Sequence, residues 1–337
     1  MTPYEKDIRA AACAPLPWEQ LEGRSVLVAG ATGLIGSCLV DLLMEVARRG
    51  ISVDVHAMGR SRDRILERFS SYAGNPRFHV VEQDVARPMA GDTPYHYIVH
   101  AASSASPQLY RNAPVEVMKA NIDGVAHLME YGLAHGMKRM LFVSSGEVYG
   151  NHTDAPLKEA DYGYVDGLDP RSCYPSSKRA AETLVACYVR EYGADAVIAR
   201  PCHTFGPHFT SSDQRAYAQF IRNIEAGEDI VLRSDGAQYR SWCYVVDCAS
   251  ALAHILFKGV AGQAYNIADE HCESSLRNLA GTLAALGGKA LSVGQPDSTS
   301  NQRVVFDTTL LKGLGWQASG TLEEKLKNTL ASRPEKG

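Results

Sequence analysis

Two side chains one helical turn apart, Tyr174 and Lys178 in the run Tyr174-Pro175-Ser176-Ser177-Lys178, are the strongest candidates for chemistry in this sequence. A free phenol ionises near pH 10, too high for a base at neutral pH. A neighbouring ammonium stabilises the phenolate, and the positive ring of an oxidised nicotinamide adds to the effect. The hydroxyl of Ser145, after Ser144 at the end of a hydrophobic run, can hold the same substrate oxygen. Together they suit hydride transfer: Tyr174 takes the proton of an alcohol while hydride leaves its carbon. The tyrosine–lysine spacing also arises by chance in helices, so the surrounding elements decide its meaning.

Those elements alternate. Short β-branched runs at Ser25 to Ala29, Ser52 to Ala57, Arg77 to Glu82, Tyr97 to His100, Arg139 to Ser144 and Ala194 to Arg200 read as strands. Leu34 to Arg49, Val115 to His135 and Ser177 to Tyr192 carry apolar residues at helical spacing. Parallel strands joined by right-handed helical crossovers give an α/β fold, a doubly wound parallel sheet of Rossmann type. Beyond Arg200 the pattern breaks into shorter pieces, and a helix at Val245 to Phe257 and a strand at Ala264 to Ile267 return to the sheet. The expected organisation is an N-terminal arm over 1–22 and a dinucleotide-binding domain over 23–201 and 240–267. A smaller, discontinuous substrate lobe over 202–239 and 268–337 covers the carboxyl edge of the sheet, where ligands of such folds sit.

The first strand runs into Gly30-Ala31-Thr32-Gly33-Leu34-Ile35-Gly36. Gly30 permits a tight turn, Gly33 close approach of a pyrophosphate, and Gly36 close packing of helix on strand. The amides of the helix start, including Leu34 and Ile35, then face phosphate. No carboxylate marks the tip of the second strand, Ala57-Met58-Gly59-Arg60-Ser61-Arg62. NAD is the expected cofactor, with NADP kept open because Arg60 would tolerate a 2′-phosphate. Asp84 and Val85 are placed near the adenine, and the small residues Ala101 and Ala102 where the cofactor passes closely.

The whole chain has 337 residues, 45% hydrophobic and 21% charged, which fits a globular protein rather than a disordered one. A net charge of -4 gives no basis for binding nucleic acid. The apolar stretch Val26 to Ala47 holds three glycines and two carboxylates, so it reads as strand and helix rather than a membrane span. Without a secretory signal at Met1 to Gln20, the expected location is cytoplasmic. Eight cysteines include no C-x-x-C pair, and no metal site is expected.

Taken together, these motifs resemble the extended short-chain dehydrogenase/reductase family, which comprises nucleotide-sugar epimerases, dehydratases and decarboxylases. The resemblance covers about Gly23 to Leu330. It is carried by the glycine turn, His100-Ala101-Ala102-Ser103, Asn121-Ile122-Asp123-Gly124, Val143 through Gly150, the Tyr174 to Lys178 motif and Arg200 through Pro207. It implies a tightly held NAD contacted also by Thr32, Ser103, Asn121, Ser144, Tyr174, Lys178 and Pro201, a nucleoside-diphosphate sugar as substrate, and a homodimer formed through the two long helices. It further implies that Ser103, Ser145, Glu147 and His203 meet the sugar and that Arg240 and Arg303 grip the diphosphate, for which forked guanidinium donors are suited. Asp247 is expected to cap a helix.

Gly146-Glu147 replaces the Asp-Glu pair of dehydratases. Glu147, the run from Glu159 to Tyr174 and that from His100 to Pro107 are most similar to UDP-glucuronate decarboxylases. In that reaction, oxidation at C4 makes the sugar carboxylate a β-keto acid, carbon dioxide leaves, and the ketone is reduced again. A 4-epimerase would share the first step; a 4,6-dehydratase, a net NADP-dependent reductase and a non-catalytic dinucleotide sensor fit less well. Three positions depart from the decarboxylase pattern: Gly146 for serine, His203 for asparagine and His208 for arginine.

Overall fold

The computed structural model describes residues 1–103, 105–151, 156–296 and 302–333. Ser104 of the His100 to Pro107 run, and 297–301 and 334–337 of the expected lobe, lie outside the described residues. Seven strands form the main sheet: β1 (Arg24–Ala29), β2 (Val53–Gly59), β3 (Phe78–Glu82), β4 (Tyr97–His100), β5 (Arg139–Val143), β6 (Ala196–Pro201) and β10 (Ala264–Ile267). All pair in parallel, in the order β10-β6-β5-β4-β1-β2-β3. The chain reverses direction across the sheet between β1 and β4, which opens a crevice at their carboxyl ends.

Both faces of the sheet are covered, so β1 is apolar at successive positions rather than alternate ones. Val26 and Val28 face one core, Leu27 and Ala29 the other, all fully buried. The first core receives α1 (Pro3–Ala11), α2 (Leu34–Arg48) and α8 (Val245–Lys258); the second receives α5 (Pro114–Ala134) and α6 (Cys173–Tyr192). Residues 1–22 do more than trail along the surface: Tyr4, Ile8, Trp18 and Leu21 belong to the first core. Shorter helices α3 (Arg62–Arg68) and α4 (Pro107–Asn112) flank the sheet.

The remaining strands build two smaller sheets. One joins β7 (His203–Phe205), β9 (Tyr239–Tyr244), β11 (Asp269–Ser275) and β13 (Arg303–Val304); the other pairs β8 (Ile230–Ser234) with β12 (Leu291–Gln295). The expected boundary at residue 240 therefore falls inside β9. Helices α7 (Ala216–Glu225), α9 (Leu276–Leu286), α10 (Thr309–Gly313) and α11 (Leu322–Ala331) complete this region.

Two expectations need correction. The helix foreseen from Ser177 starts at Cys173, because Pro175 falls within the first turn, where a missing N–H costs nothing. Asp247 does not cap α8, whose N-cap is Tyr244 without a side-chain bond. Its carboxylate instead pairs with Lys325 at 2.8 Å and accepts from the Ser319 hydroxyl at 3.2 Å, tying α11 to α8. Among the described residues no helix is long and apolar enough to cross a membrane.

Candidate active site

Gly30 follows β1 with φ at 83°, a conformation in which glycine is at ease. A Cβ here would come within 2.5 Å of the Ala102 backbone nitrogen, and one at Gly36 would lie 3.0 Å from the Gly30 carbonyl carbon and closer still to its oxygen. Gly33 differs: its nearest protein neighbour would be the Gly30 oxygen at 3.4 Å. The protein thus packs against Gly30 and Gly36 but leaves a cradle at Gly33, the start of α2, which has no side-chain cap. Leading helix amides without a cap suit an anionic phosphate. Two buried polar atoms, Ser103 Oγ just past β4 and Asn121 Oδ1 of α5, have no partner among the described residues. Unpaired buried groups are rare enough to call for a ligand or water, so the crevice fits a dinucleotide.

Other expected cofactor contacts are placed with less consequence. Thr32 and Ile35 are half-buried at the turn and Leu34 is buried; Asp84 accepts from the Ala86 amide at 3.0 Å, beside buried Val85. Ala101 and Ala102 follow β4 next to Gly30, and Pro201 ends β6. Arg60 is exposed, and a carboxylate does stand near the tip of β2 after all: Glu82 of β3 accepts from the Arg62 amide at 3.2 Å.

The catalytic candidates come together where the turn after β5 meets the start of α6. Tyr174 and Lys178 lie on the first turns of α6, both buried. Ser145 caps a short 3-10 turn, Gly146–Tyr149, by accepting from the Glu147 amide at 3.2 Å. The surroundings of the Tyr174 phenol act on it in both directions. Burial, then the negative charge of Glu147, raise the phenol above its usual value, while a hydrogen bond with Ser145 and the charge of Arg215 act against them. Lys178 Nζ donates to the Val143 carbonyl, 2.7 Å away, and stands 5.7 Å from the centre of the Tyr174 ring. Burial lowers its own pKa to about 7, and Glu182, one turn further along α6, opposes that fall.

Behind these groups runs a buried polar network. Ser144 Oγ donates to Glu182 at 2.5 Å, and Arg200 of β6 grips the same carboxylate with two bonds of 3.0 and 2.6 Å. Arg200 also donates to the Tyr149 hydroxyl at 3.1 Å. The network fixes the ends of β5 and β6 and the helix that carries Lys178.

On the open side, Glu147 is 3.5 Å from Arg171, and enclosure by the surrounding protein raises its pKa against the pull of Arg171 and Arg240. Arg240 Nη1 lies 2.8 Å from His203 Nε2. His203 sits in a hollow open to solvent yet walled by protein; that enclosure, then Arg240 and Arg215, depress its pKa to about 3. A neutral ring accepting from Arg240 at Nε2 carries its proton on Nδ1. His203, Arg215, Gln238, Arg240 and Trp242 line a hollow of about 170 Å³, in which Gln238 Oε1 and Arg240 Nε are buried without a partner among the described residues. Arg303 stays outside this group, 4.4 Å above the Tyr239 ring and 3.9 Å from Glu273.

Three residues here were not foreseen. Tyr110 stacks on Tyr174 with ring centres 5.0 Å apart, and Arg171 lies 4.7 Å over Tyr110, bridging it to Glu147. Arg215 is held by Asp213 at 2.5 Å on the far wall. Tyr110 and Arg215 are separated from the motifs in sequence, and Arg171 lies within the Glu159 to Tyr174 run.

A model of the NAD dependent epimerase/dehydratase family matches residues 26–268. The chain is 33% identical over 305 residues to UDP-glucuronic acid decarboxylase 5 of Arabidopsis thaliana, covering 89% of this chain and 86% of the relative. It is 31% identical over 312 residues to UDP-glucuronic acid decarboxylase 1 of Xenopus tropicalis, with coverages of 91% and 71%. Among solved structures, UDP-glucose 4-epimerase of Thermotoga maritima, with UDP-glucose, superposes with a TM-score of 0.77 at 25% identity, over 91% of this chain and 97% of that one. A dTDP-glucose 4,6-dehydratase of Streptomyces venezuelae with NAD bound has the same fold at 24% identity and a TM-score of 0.77, over 91% and 95%.

Proposed function

Since the chain belongs to the NAD dependent epimerase/dehydratase family, we propose that it is an NAD-dependent nucleotide-sugar enzyme that decarboxylates a UDP-hexuronate of the glucuronate type. The observation that carries the reading is the meeting of Ser145, Glu147 and Tyr174, with Arg240 close enough to act on Glu147 and held by His203. The Gly33 cradle, the α2 amides, Ser103 and Asn121 would hold NAD, which would supply reversible hydride acceptance at C4 of the sugar. Glu82 beside the tip of β2 disfavours the extra phosphate of NADP.

Each residue has a definite task in this scheme. Tyr174 takes the C4 hydroxyl proton while Ser145 holds that oxygen. The resulting ketone is β to the carboxylate, so the C5–C6 bond breaks, carbon dioxide departs, and the electron pair passes to the C4 oxygen as an enolate. Glu147, whose pKa is raised by burial, protonates C5. Tyr174 then gives its proton back to the C4 oxygen as the ketone is reduced. One proton is consumed and carbon dioxide released, with no net change in NAD. Arg240, positioned by His203, and Arg303 further out serve the diphosphate.

A 4-epimerase remains the second reading, favoured by the likeness to the Thermotoga maritima enzyme and by His203 in place of asparagine. We also propose a homodimer through α5 and α6, on whose surfaces Val115, Met118 and Tyr192 remain exposed, and a cytoplasmic location, which suits eight free thiols. Incubation with UDP-glucuronate and no added reductant is expected to yield a nucleotide sugar lighter by one carbon dioxide. Tyr174→Phe should lose turnover by about 10²-fold or more while keeping its NAD. An unchanged mass with altered stereochemistry selects the epimerase, and no conversion of any nucleotide sugar defeats both readings.

A further inference from the structure

Between Ser145 and Glu147 stands a glycine where the resemblance leads one to expect serine, and the structure shows what fills the space. A Cβ on Gly146 would lie 2.7 Å from Cε2 of Phe306 and closer still to Cζ. Phe306 is 8% exposed, so its ring has little room to retreat. Its amide donates to Ser241 Oγ at 3.1 Å, its backbone bridges to Leu157, and its ring meets Tyr149 edge-on at 5.4 Å. The ring comes from the segment that carries Arg303. In β13, Arg303 pairs with Tyr239 and Val304 with Arg240 of β9. The strands bearing both diphosphate candidates are thus paired with each other, and three residues past Arg303 the chain presses on the catalytic turn.

We infer that Phe306 is a positioning residue: its ring seats the Ser145-Gly146-Glu147 turn, and Gly146 and Phe306 form a size-matched pair through which the arginine-bearing strands set the position of Ser145 and Glu147. The inference rests on the nucleotide-sugar reading proposed above. A glycine turn left to itself samples a wide range of backbone conformations, and the ring supplies the wall that a side chain at 146 would have provided. Packed interiors transmit displacement rather than absorb it, and a misplacement of about 1 Å at reacting groups costs on the order of 10²-fold in rate.

Backbone amide exchange across 145–149 in the NAD-loaded protein, with and without UDP, tests this in the wild type, Phe306→Ala, Phe306→Leu, Gly146→Ala and the Gly146→Ala/Phe306→Ala pair, alongside kcat and KM for UDP-glucuronate. UDP is expected to slow exchange of the turn in the wild type. Phe306→Ala should still bind UDP but lose that protection, with kcat reduced by about 10²-fold and KM little changed. Phe306→Leu should restore most of both, which separates positioning from failure to fold. Gly146→Ala alone should be impaired, and the paired variant should exceed it in kcat, a non-additivity expected of groups in contact. Equal protection in wild type and Phe306→Ala, no protection in either, or strictly additive effects overturns the inference while leaving the decarboxylase reading intact. Coupling without any sugar conversion defeats the proposed reaction but supports the pair, and absence of UDP binding overturns both.

Discussion

Glu147 helps to set the protonation of Tyr174. In the protein as described, the phenol is held above its ordinary pKa by burial and then by the charge of Glu147, so two acidic groups share a cleft in which one stays neutral more readily when the other is ionised. Removing the carboxylate should relieve the tyrosine. Glu147→Gln is therefore expected to shift the Tyr174 contribution to the tyrosinate absorbance to lower pH than in the wild type. The same variant should lose about 10² to 10⁴ in kcat for want of a proton donor. An unchanged titration would show that Glu147 is too well screened to act on the phenol. Lys178 stands 5.7 Å from the centre of the Tyr174 ring, its ammonium anchored on the Val143 carbonyl.

At the scale of elements, the β1–turn–α2 unit separates the demands of folding from those of binding. A Cβ at Gly30 or Gly36 would collide with the protein's own backbone, whereas one at Gly33 would approach only the Gly30 oxygen, at 3.4 Å. Gly30→Ala and Gly36→Ala are expected to destabilise the fold by about 1–3 kcal/mol, the usual cost of forcing extra volume into a packed place, and to lower the urea midpoint accordingly. Gly33→Ala should leave that midpoint near the wild-type value and reduce only the NAD retained after desalting. A fall in the midpoint for Gly33→Ala as large as for Gly36→Ala would remove the case for a ligand cradle. The glycines share one motif and look alike in sequence; the helix axis running past the Gly30 carbonyl makes their roles different.

For the molecule as a whole, α11 is fastened to the nucleotide-binding half by one buried cation. Lys325 pairs with Asp247 at 2.8 Å and also with Asp269, and all three side chains are almost fully enclosed. Burial works against its charge, yet the two carboxylates raise the Lys325 pKa well above its usual value. Replacing it with methionine would strand two acids in the interior, and breaking a buried pair in this way costs about 3–5 kcal/mol. Lys325→Met should lower the urea midpoint to match, with a smaller loss below about pH 4, where the stranded acids can take up protons. An unaltered midpoint at neutral pH would show that water reaches the cluster. Asp247 invites a capping role because it lies near a helix start, and its real partner is a lysine far along the chain.

The sequence by itself determined the class of fold and the family to which the chain belongs. Alternating β-branched and helical runs allow few topologies, and the glycine turn, Ser145, Tyr174 and Lys178 occupy positions in that alternation which local geometry alone delivers to the carboxyl edge of the sheet. Element ends were legible to within a few residues, Pro175 being the point where a breaker was mistaken for a boundary. Only the tertiary structure decided the direction in which charges act and which distant residues close the site. The raised pKa of Tyr174, the hold of Val143 on Lys178, the Tyr110–Arg171–Glu147 bridge and the ring of Phe306 against Gly146 all depend on burial and on contacts between segments remote in the chain. Desolvation and packing are properties of the assembled volume, and residue spacing carries no record of them.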